Sequence, residues 1–284
     1  METNAIEIRG LTKRYKDFSL DNLNLDLPYG CVLGLVGENG AGKSTTIRLI
    51  MDALERDAGT VSVLGVDNRS REFLDLKEDI GVVLDETFVP EIINAKQLGK
   101  ILAGTYKNWD QAAYDGWLRR FELPLDKKFK DYSRGMTMKL GIAAALSHHA
   151  RLLLLDEATG GLDPMVREEL LEVFADFASE DGHAVLLSSH IVSDLERICD
   201  YIAFLHKGKL VLCEEKDVLL DQYGILKCTK EQLANIPQEA IHGKRIGTYG
   251  VEALVEREFM PCDLVIDRAN LEDIILYMVK GEQK

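Results

Sequence analysis

The residues GENGAGKS at positions 37–44 decide the fold of this chain, because they match the pattern GxxxxGK[ST] of a phosphate-binding loop. An apolar run at residues 31–36 precedes the loop, and a helix-like segment at residues 45–53 follows it. Glycines in such a loop let backbone N–H groups point at an anion, and the positive end of the following helix faces the same anion. The stretch therefore predicts a nucleotide-binding site between a buried strand and a helix.

The positions within this loop have distinct predicted roles. Lys43 is expected to reach the β- and γ-phosphates of ATP, and the Ser44 hydroxyl is expected to bind Mg²⁺. The other candidate nucleotide contacts in this stretch are Gly37, Asn39, Gly40, Ala41, Gly42 and Thr45. The alternative is a glycine-rich turn without a ligand, which the flanking strand and helix patterns disfavour.

A second motif, RLLLLDE at residues 151–157, is an apolar strand that ends in two adjacent carboxylates. Asp156 is expected to hold the hydrated Mg²⁺. Strand alternation turns Glu157 to the opposite face, where it would act as a general base on water in line with the γ-phosphate. Two acids that merely open a turn are the alternative, which a phosphate loop in the same chain disfavours.

The second motif continues as ATGGLDP at residues 158–164, and LDEATGGLDP resembles the LDEPTSGLDP run of the ATP-binding cassette (ABC) family. The resemblance extends in order over about the first 215 residues. It implies that Tyr15 stacks on adenine. It also implies that His190, at the end of the run LLSSH, contacts the γ-phosphate and braces the catalytic Glu157.

Asp85 departs from the family pattern, because this position ordinarily holds a Gln that contacts Mg²⁺ and the attacking water. In the family, the same Gln links the nucleotide to the inserted helices. We expect Asp85 to keep a metal-facing role with altered geometry, since a carboxylate is an oxygen ligand for a hard cation. The alternative is a loop acid that faces water.

The run YSRGM at residues 132–136 stands where the family has LSGGQ, a segment that binds the γ-phosphate of the opposite subunit. Ser133 and Gly135 are retained, so the resemblance implies that they contact nucleotide. Arg134 replaces a glycine, and its charge could help hold phosphate. Met136 replaces the Gln and cannot donate a side-chain hydrogen bond. The alternative is that Ser133 serves only as a helix N-cap.

The order of strand-like and helix-like segments predicts an α/β fold. We expect a P-loop NTPase core with a mostly parallel sheet, an antiparallel β subdomain, an inserted helical subdomain and a small α+β C-terminal extension. The nucleotide-binding domain is predicted at residues 1–216, with the helical insertion at about 86–150, and the extension at 217–284. Helical periodicity marks residues 95–105, 110–121, 133–146 and 271–279, the last with Asn270 as its cap.

Composition narrows the classes of function. The formal net charge of -14 argues against a nucleic-acid partner, which would require a basic face. The five cysteines form no CxxC pair, so no zinc site is expected; they are Cys31, Cys199, Cys213, Cys228 and Cys262. The start of the chain lacks the apolar core of a signal peptide, and no apolar run approaches the ~20 residues that span a bilayer.

The resemblance implies an ATPase that binds Mg-ATP between two cassettes in a head-to-tail dimer. The second cassette would be a copy or a relative of this chain, and an integral membrane subunit would be a separate polypeptide. The chain would then lie in the cytoplasm, peripherally on the membrane. The ending NLEDIILYMVKG at residues 270–281 resembles the tail of ABC-2-type export ATPases and indicates export. The alternatives are a non-transport ABC ATPase or a regulatory nucleotide-binding module. A GTPase is disfavoured, because no NKxD motif is present.

Overall fold

The computed structural model describes residues 4–85, 89–247, 250–261 and 264–281. Cys262 and the first residues of the predicted helical insertion, 86–88, lie outside these ranges. The chain forms two compact units, Met1–Val211 and Leu212–Lys284. The division falls slightly before the domain boundary expected after residue 216, which stays a prediction.

The first unit combines strands and helices in the predicted alternation. Its strands are β1 (Asn4–Arg14), β2 (Ser19–Pro28), β3 (Val32–Val36), β4 (Ala58–Val63), β5 (Val66–Asp67), β6 (Ile80–Val83), β7 (Leu152–Asp156), β8 (Ala184–Ser189), β9 (Tyr201–His206) and β10 (Lys209–Glu215), which continues past the division. Its helices are α1 (Lys43–Ile50), α2 (Phe73–Leu76), α3 (Ala95–Ala103), α4 (Gln111–Arg120), α5 (Arg134–Ala145), α6 (Pro164–Ala178) and α7 (Val192–Ile198).

A six-stranded sheet in the order β10-β9-β3-β8-β7-β6 forms the centre of this unit. The pairings from β9 through β3, β8 and β7 to β6 are parallel, and β3, β7 and β8 are buried throughout. Continuous apolar runs are typical of strands covered on both faces. The register pairs Val36 with Ser189 and Asp156 with Ser188. The phosphate loop, the paired acids and the LLSSH run therefore meet at the carboxyl ends of neighbouring strands, where ligands bind in such sheets.

The predicted antiparallel β subdomain and helical insertion are both present. A second sheet, in the order β2-β1-β4-β5, is antiparallel. Helices α3, α4 and α5 follow β6, and each begins just after a capping side chain, from Asn94, Asp110 and Ser133 respectively. Tyr114 of α4 is fully buried and donates a hydrogen bond to the carbonyl of Ala95. The helical segments predicted here are confirmed, although residues 110 and 133 cap their helices and lie just outside them.

The second unit is the predicted small α+β fold. Its elements are α8 (Lys216–Gln222), β11 (Tyr223–Cys228), α9 (Lys230–Ala234), β12 (Ile241–Ile246), β13 (Val251–Glu256), β14 (Ile266–Arg268) and α10 (Leu271–Gly281). The sheet order is β12-β13-β11-β14, all antiparallel. Asn270 caps α10 as predicted, because its Oδ1 accepts from the N–H of Asp273 at 2.7 Å. In the part of the chain that the structure describes, every helix is too short or too polar to span a bilayer.

Candidate nucleotide site

Glycines shape the loop between β3 and α1. Gly40 and Gly42 have φ of 83° and 114°, a region that side chains with a Cβ rarely adopt. Gly42 is also the N-cap of α1, and its carbonyl accepts from both the N–H and the hydroxyl of Thr46 at 2.9 Å. The loop therefore ends at a helix N-terminus, with Asn39 and Gly40 exposed at its tip.

The end of β9 supports the same loop from the side. A Cβ on Gly37 would lie 2.4 Å from the carbonyl oxygen of Leu205, so this position requires glycine. The N–H of Gly208, just after β9, donates to the carbonyl of Ala41 at 3.0 Å. The segment from Leu205 to Gly208 therefore packs against the loop and holds it.

Lys43 is 5% exposed and folds back across the loop that precedes it. Its ammonium donates to the carbonyls of Gly37 at 2.6 Å and Glu38 at 3.3 Å. It also lies 3.0 Å from Oε1 of Glu157. No neighbouring donor forms a hydrogen bond with Oε1, so the contact between Lys43 and Glu157 is ionic. The ammonium thus lies between the phosphate loop and the second acid of the LDE motif.

Asp156, the last residue of β7, is buried and held by the neighbouring strand. The hydroxyl of Ser188 donates to its Oδ1 at 2.6 Å, which leaves Oδ2 for other partners. The backbone N–H of Glu157 approaches the Ser188 hydroxyl at 3.2 Å and the Ser188 carbonyl at 3.1 Å. Sequence reasoning missed Ser188. The available signal was a polar residue at the carboxyl end of an apolar run.

Glu157 lies in the site, but not for the reason predicted. Strand β7 ends at Asp156, and Glu157 has φ of 51°, so strand alternation does not orient it. A left-handed conformation in a residue other than glycine persists only where surrounding contacts determine it, and such residues cluster at functional sites. Here the contacts with Ser188 hold the backbone, and the carboxylate points between Lys43 and His190.

His190 follows β8 and is about half exposed. Its Nδ1 lies 2.6 Å from Oε2 of Glu157, and its backbone N–H is 3.4 Å from the same oxygen. Because a carboxylate accepts, Nδ1 carries the proton in this contact. The predicted pairing of His190 with Glu157 is thus present in the structure, and its contact with phosphate stays a prediction.

Tyr15 lies in the turn between β1 and β2, and 45% of its surface is exposed. Its N–H donates to the carbonyl of Phe18 at 2.7 Å, and the two ring centroids are 6.2 Å apart. Phe18 in turn lies 3.0 Å from the position that a Cβ on Gly42 would take. Phe18, which sequence reasoning missed, therefore lies between the exposed Tyr15 ring and the phosphate loop.

The donor set fits a magnesium ion shared with phosphate. Ser44 lies in the first turn of α1, next to Thr45, and α1 packs against β7, the strand that ends in Asp156. A hydroxyl and a carboxylate are hard oxygen ligands, as Mg²⁺ prefers. Within the described residues, no cluster of three His, Cys, Asp or Glu side chains is placed to hold a metal. Mg²⁺ ordinarily binds through one or two protein oxygens together with phosphates and water.

The start of α5 carries the YSRGM run. The hydroxyl of Ser133 accepts from the N–H of Met136 at 3.3 Å, so Ser133 is the N-cap that the simpler interpretation predicted. Ser133 is nevertheless exposed. A Cβ on Gly135 would lie 3.8 Å from side-chain atoms of Leu162 and Val166, so the helix start packs beside the turn that follows Glu157. Capping therefore does not bury the helix N-terminus.

Asp85 and Arg134, two of the positions that depart from the family pattern, are in contact. Nη2 of Arg134 lies 2.6 Å from Oδ1 of Asp85, and both side chains are about half exposed. The carboxylate therefore has a cationic partner from α5. The metal-facing role expected for Asp85 stays a prediction.

A parallel sheet with a phosphate loop, a strand-end Asp–Glu pair and a histidine on that Glu defines a P-loop ATPase site. The family model described as ABC transporter matches residues 20–160. The chain is 31% identical to the uncharacterized ABC transporter ATP-binding protein YhcH of Bacillus subtilis (strain 168), over 97% of this chain and 91% of that protein. The chain belongs to the ABC transporter family, as an ATP-binding subunit with ATPase activity.

Further relatives carry transport names. The lantibiotic transport ATP-binding protein SrtF of Streptococcus pyogenes is 35% identical, over 75% of this chain and 91% of that protein. The bacitracin transport ATP-binding protein BcrA of Enterococcus faecalis is 34% identical, over 73% of this chain and 68% of that protein.

Solved structures share the fold. One ATP-binding subunit of an ABC transporter has a TM-score of 0.68 at 27% identity, over 75% of this chain and 90% of that chain. A dimeric, post-hydrolysis ATP-binding cassette, MJ0796, bound to ADP and phosphate, has a TM-score of 0.67 at 23% identity, over 74% and 98% of the respective chains.

Proposed function

We propose that this chain hydrolyses Mg-ATP at the site formed by the phosphate loop and the ends of β7 and β8, with Glu157 as the general base. The observation that carries the proposal is the Glu157 carboxylate, which lies between the Lys43 ammonium at 3.0 Å and His190 Nδ1 at 2.6 Å. A general base requires a fixed orientation next to the group it deprotonates. Two charged or polar neighbours and a left-handed backbone supply that orientation here.

In this mechanism, Glu157 takes a proton from the water that attacks the γ-phosphate. Lys43 and the loop N–H groups stabilise the charge on the phosphate oxygens, since catalysis of phosphoryl transfer is mostly positioning and electrostatic stabilisation. His190 holds the carboxylate through its Nδ1–H. Mg²⁺, held by Ser44 and Asp156, would neutralise charge on the β- and γ-phosphates. Exposed Tyr15 would stack on adenine.

The exposed start of α5 supports a composite site shared by two subunits. Ser133 and Gly135 lie at a helix N-terminus, which favours an anion. The Arg134 guanidinium at the same helix start is paired with Asp85, so the assignment rests on Ser133, Gly135 and the helix N-terminus. We assign this surface to the γ-phosphate of a nucleotide held by a second cassette, a copy or a relative of this chain.

A separate membrane subunit would complete the transporter. An apolar cavity of about 310 Å³ lies between the end of β6 and helices α3 and α5, and its lining includes Val82, Leu98, Phe129 and Met138. We assign it to a cytoplasmic helix of the membrane subunit, because the cavity adjoins the segment that leads to Asp85. The transport names of the bacitracin and lantibiotic relatives support export. Our proposal places the chain on the cytoplasmic face of the membrane, bound to that subunit.

The substitution Glu157→Gln tests the catalytic assignment. It keeps the shape of the side chain and removes the base, so ATP should bind while hydrolysis stalls. ATP-dependent dimers should then accumulate, as measured by light scattering. Glu172→Gln changes an exposed carboxylate on α6 and serves as the matched control. A Glu157→Gln protein that stays monomeric at saturating ATP contradicts the shared site.

Purification of the tagged chain from detergent-solubilised membranes tests the transport role. An integral membrane protein should accompany the wild-type chain. Recovery of the chain only from the soluble fraction, without such a partner, would instead support a non-transport ABC ATPase.

A further inference from the structure

Three positions at which this chain departs from the family pattern meet in space. Arg134 stands where the signature has a glycine, Asp85 where a Gln is usual, and Gly160 where the LDEPTSGLDP run has a serine. Nη2 of Arg134 is 2.6 Å from Oδ1 of Asp85. The same Nη2 is 3.6 Å from the point that a Cβ on Gly160 would occupy. Residues far apart in the sequence thus share one small volume beside the site.

The guanidinium of Arg134 lies over the turn that follows Glu157. A Cβ on Gly161 would lie 3.3 Å from its Nε and 3.4 Å from its Cζ, which is close contact. The same Cβ position on Gly160 lies 3.8 Å from Oε2 of Glu157. Gly161 therefore leaves room for the Arg134 side chain, and Gly160 lies next to both the guanidinium and the Glu157 carboxylate.

The ion pair is poorly suited to a role in stability. The side chains of Arg134 and Asp85 are 52% and 47% exposed, and exposed pairs contribute little to the free energy of unfolding. The location of the ion pair is more informative about its role. Without Arg134, the Asp85 carboxylate would add negative charge near Glu157 and the phosphates. Without Asp85, the long Arg134 side chain would lose the contact that fixes its direction.

We propose that Asp85 and Arg134 work as one unit, in which Asp85 is a positioning residue that holds the Arg134 guanidinium across the Gly160–Gly161 turn beside Glu157. The pair links the loop after β6 to the start of α5 by a direct ion pair. The two departures compensate for each other. This inference rests on the proposed role of Glu157 in ATP hydrolysis.

A double-mutant cycle on the full chain tests the pair. The variants are Asp85→Gln, Arg134→Gly and the double variant, which restores the usual family residues at both positions. Each single variant should lower kcat for ATP hydrolysis about threefold to tenfold, with little change in KM, because residues in direct contact couple strongly. The double variant should recover to within about twofold of wild type. Asp26→Gln is the matched control, because Asp26 forms an Arg9 pair of 2.6 Å with similar exposure elsewhere.

Additive losses in the double variant would overturn the proposal. So would a higher Mg²⁺ requirement in Asp85→Gln that Arg134→Gly does not share, since that result assigns Asp85 to the metal. Thermal unfolding should shift little in any variant, which separates positioning from loss of fold. Wild-type turnover that is insensitive to Glu157→Gln would contradict the proposed function itself. If turnover depends on Glu157 but the effects of Asp85→Gln and Arg134→Gly on kcat are additive, only the proposal for the Asp85–Arg134 pair is contradicted.

Discussion

Oε2 of Glu157 lies 2.6 Å from Nδ1 of His190, across the carboxyl ends of two neighbouring parallel strands. The other oxygen of the same carboxylate lies 3.0 Å from the ammonium of Lys43. A single side chain therefore joins the phosphate loop, β7 and the segment after β8. Changes at each of these places should act on hydrolysis through Glu157.

Replacement of His190 by alanine should lower kcat by roughly tenfold or more while KM for ATP changes less. The imidazole orients the general base, and a positioned base contributes about a hundredfold or more to such reactions. Steady-state phosphate release measures the effect. His149, whose side chain is 70% exposed, provides the control His149→Ala. Equal activity of the two variants would show that His190 does not orient Glu157.

Lys43→Met should weaken ATP binding by about tenfold to a hundredfold, because a charge-assisted hydrogen bond contributes about 1.5–3 kcal/mol. Titration of a fluorescent ATP analogue gives the dissociation constant. Lys107→Met removes an exposed lysine and should leave binding unchanged. Unaltered affinity in Lys43→Met would exclude Lys43 from phosphate contact.

Ser188→Ala should raise the Mg²⁺ concentration that gives half-maximal activity and should destabilise the fold by about 1–3 kcal/mol. The hydroxyl is buried, and its loss leaves Oδ1 of Asp156 without this partner. Magnesium titrations and urea unfolding check the two effects. Ser179→Ala, at an exposed serine after α6, is the comparison. Wild-type behaviour in both assays would mean that Ser188 does not orient Asp156.

The free energy of unfolding of the first unit should fall as the pH drops below the ordinary pKa of histidine, partly because of His148. Burial lowers the pKa of His148 below 6.5, although its hydrogen bond to the Glu78 carbonyl and the charges of Glu78 and Asp79 oppose the shift. The folded ring is therefore neutral where the unfolded ring takes up a proton. Stability is retained above pH 6.5 and lost below it, with a slope of at most about 1.4 kcal/mol per pH unit.

The substitution His148→Phe isolates this contribution. Phenylalanine can keep the stacking on Tyr106, whose ring centroid is 4.2 Å from that of His148, but it cannot titrate. Urea unfolding between about pH 5 and about pH 8 should give a flatter stability profile for the variant. If stability falls equally with pH in the wild type and in His148→Phe, His148 does not cause the loss of stability at low pH.

Local pattern was sufficient for the elements that build the site. Strands β3 and β7 are unbroken apolar runs, and α10 begins directly after its predicted cap Asn270, because burial and capping act over a few neighbouring residues. Strands β12 and β13 were not predicted. The former reads IHGKRI, which has no clear alternation, and pairing with β13 decides its conformation.

Contacts between distant segments were beyond the sequence pattern. The direction of Glu157 depends on Ser188, a residue of another strand, so strand alternation gave the right location for the wrong reason. Asp85 and Arg134 read as two separate departures until α5 placed them side by side. Such pairs follow from the positions of whole elements, which a single sequence specifies only indirectly.

The carbonyl of Leu205 and the N–H of Gly208 brace the phosphate loop from a strand that comes late in the first unit. Ribosomes add about 5–20 residues per second, so the GENGAGKS segment emerges many seconds before its brace exists. During that interval the GENGAGKS residues have been synthesised, but the contacts from Leu205 and Gly208 that hold the loop do not yet exist. We therefore expect ATP to bind this loop stably only after β9 has been made, near the end of the synthesis of this unit.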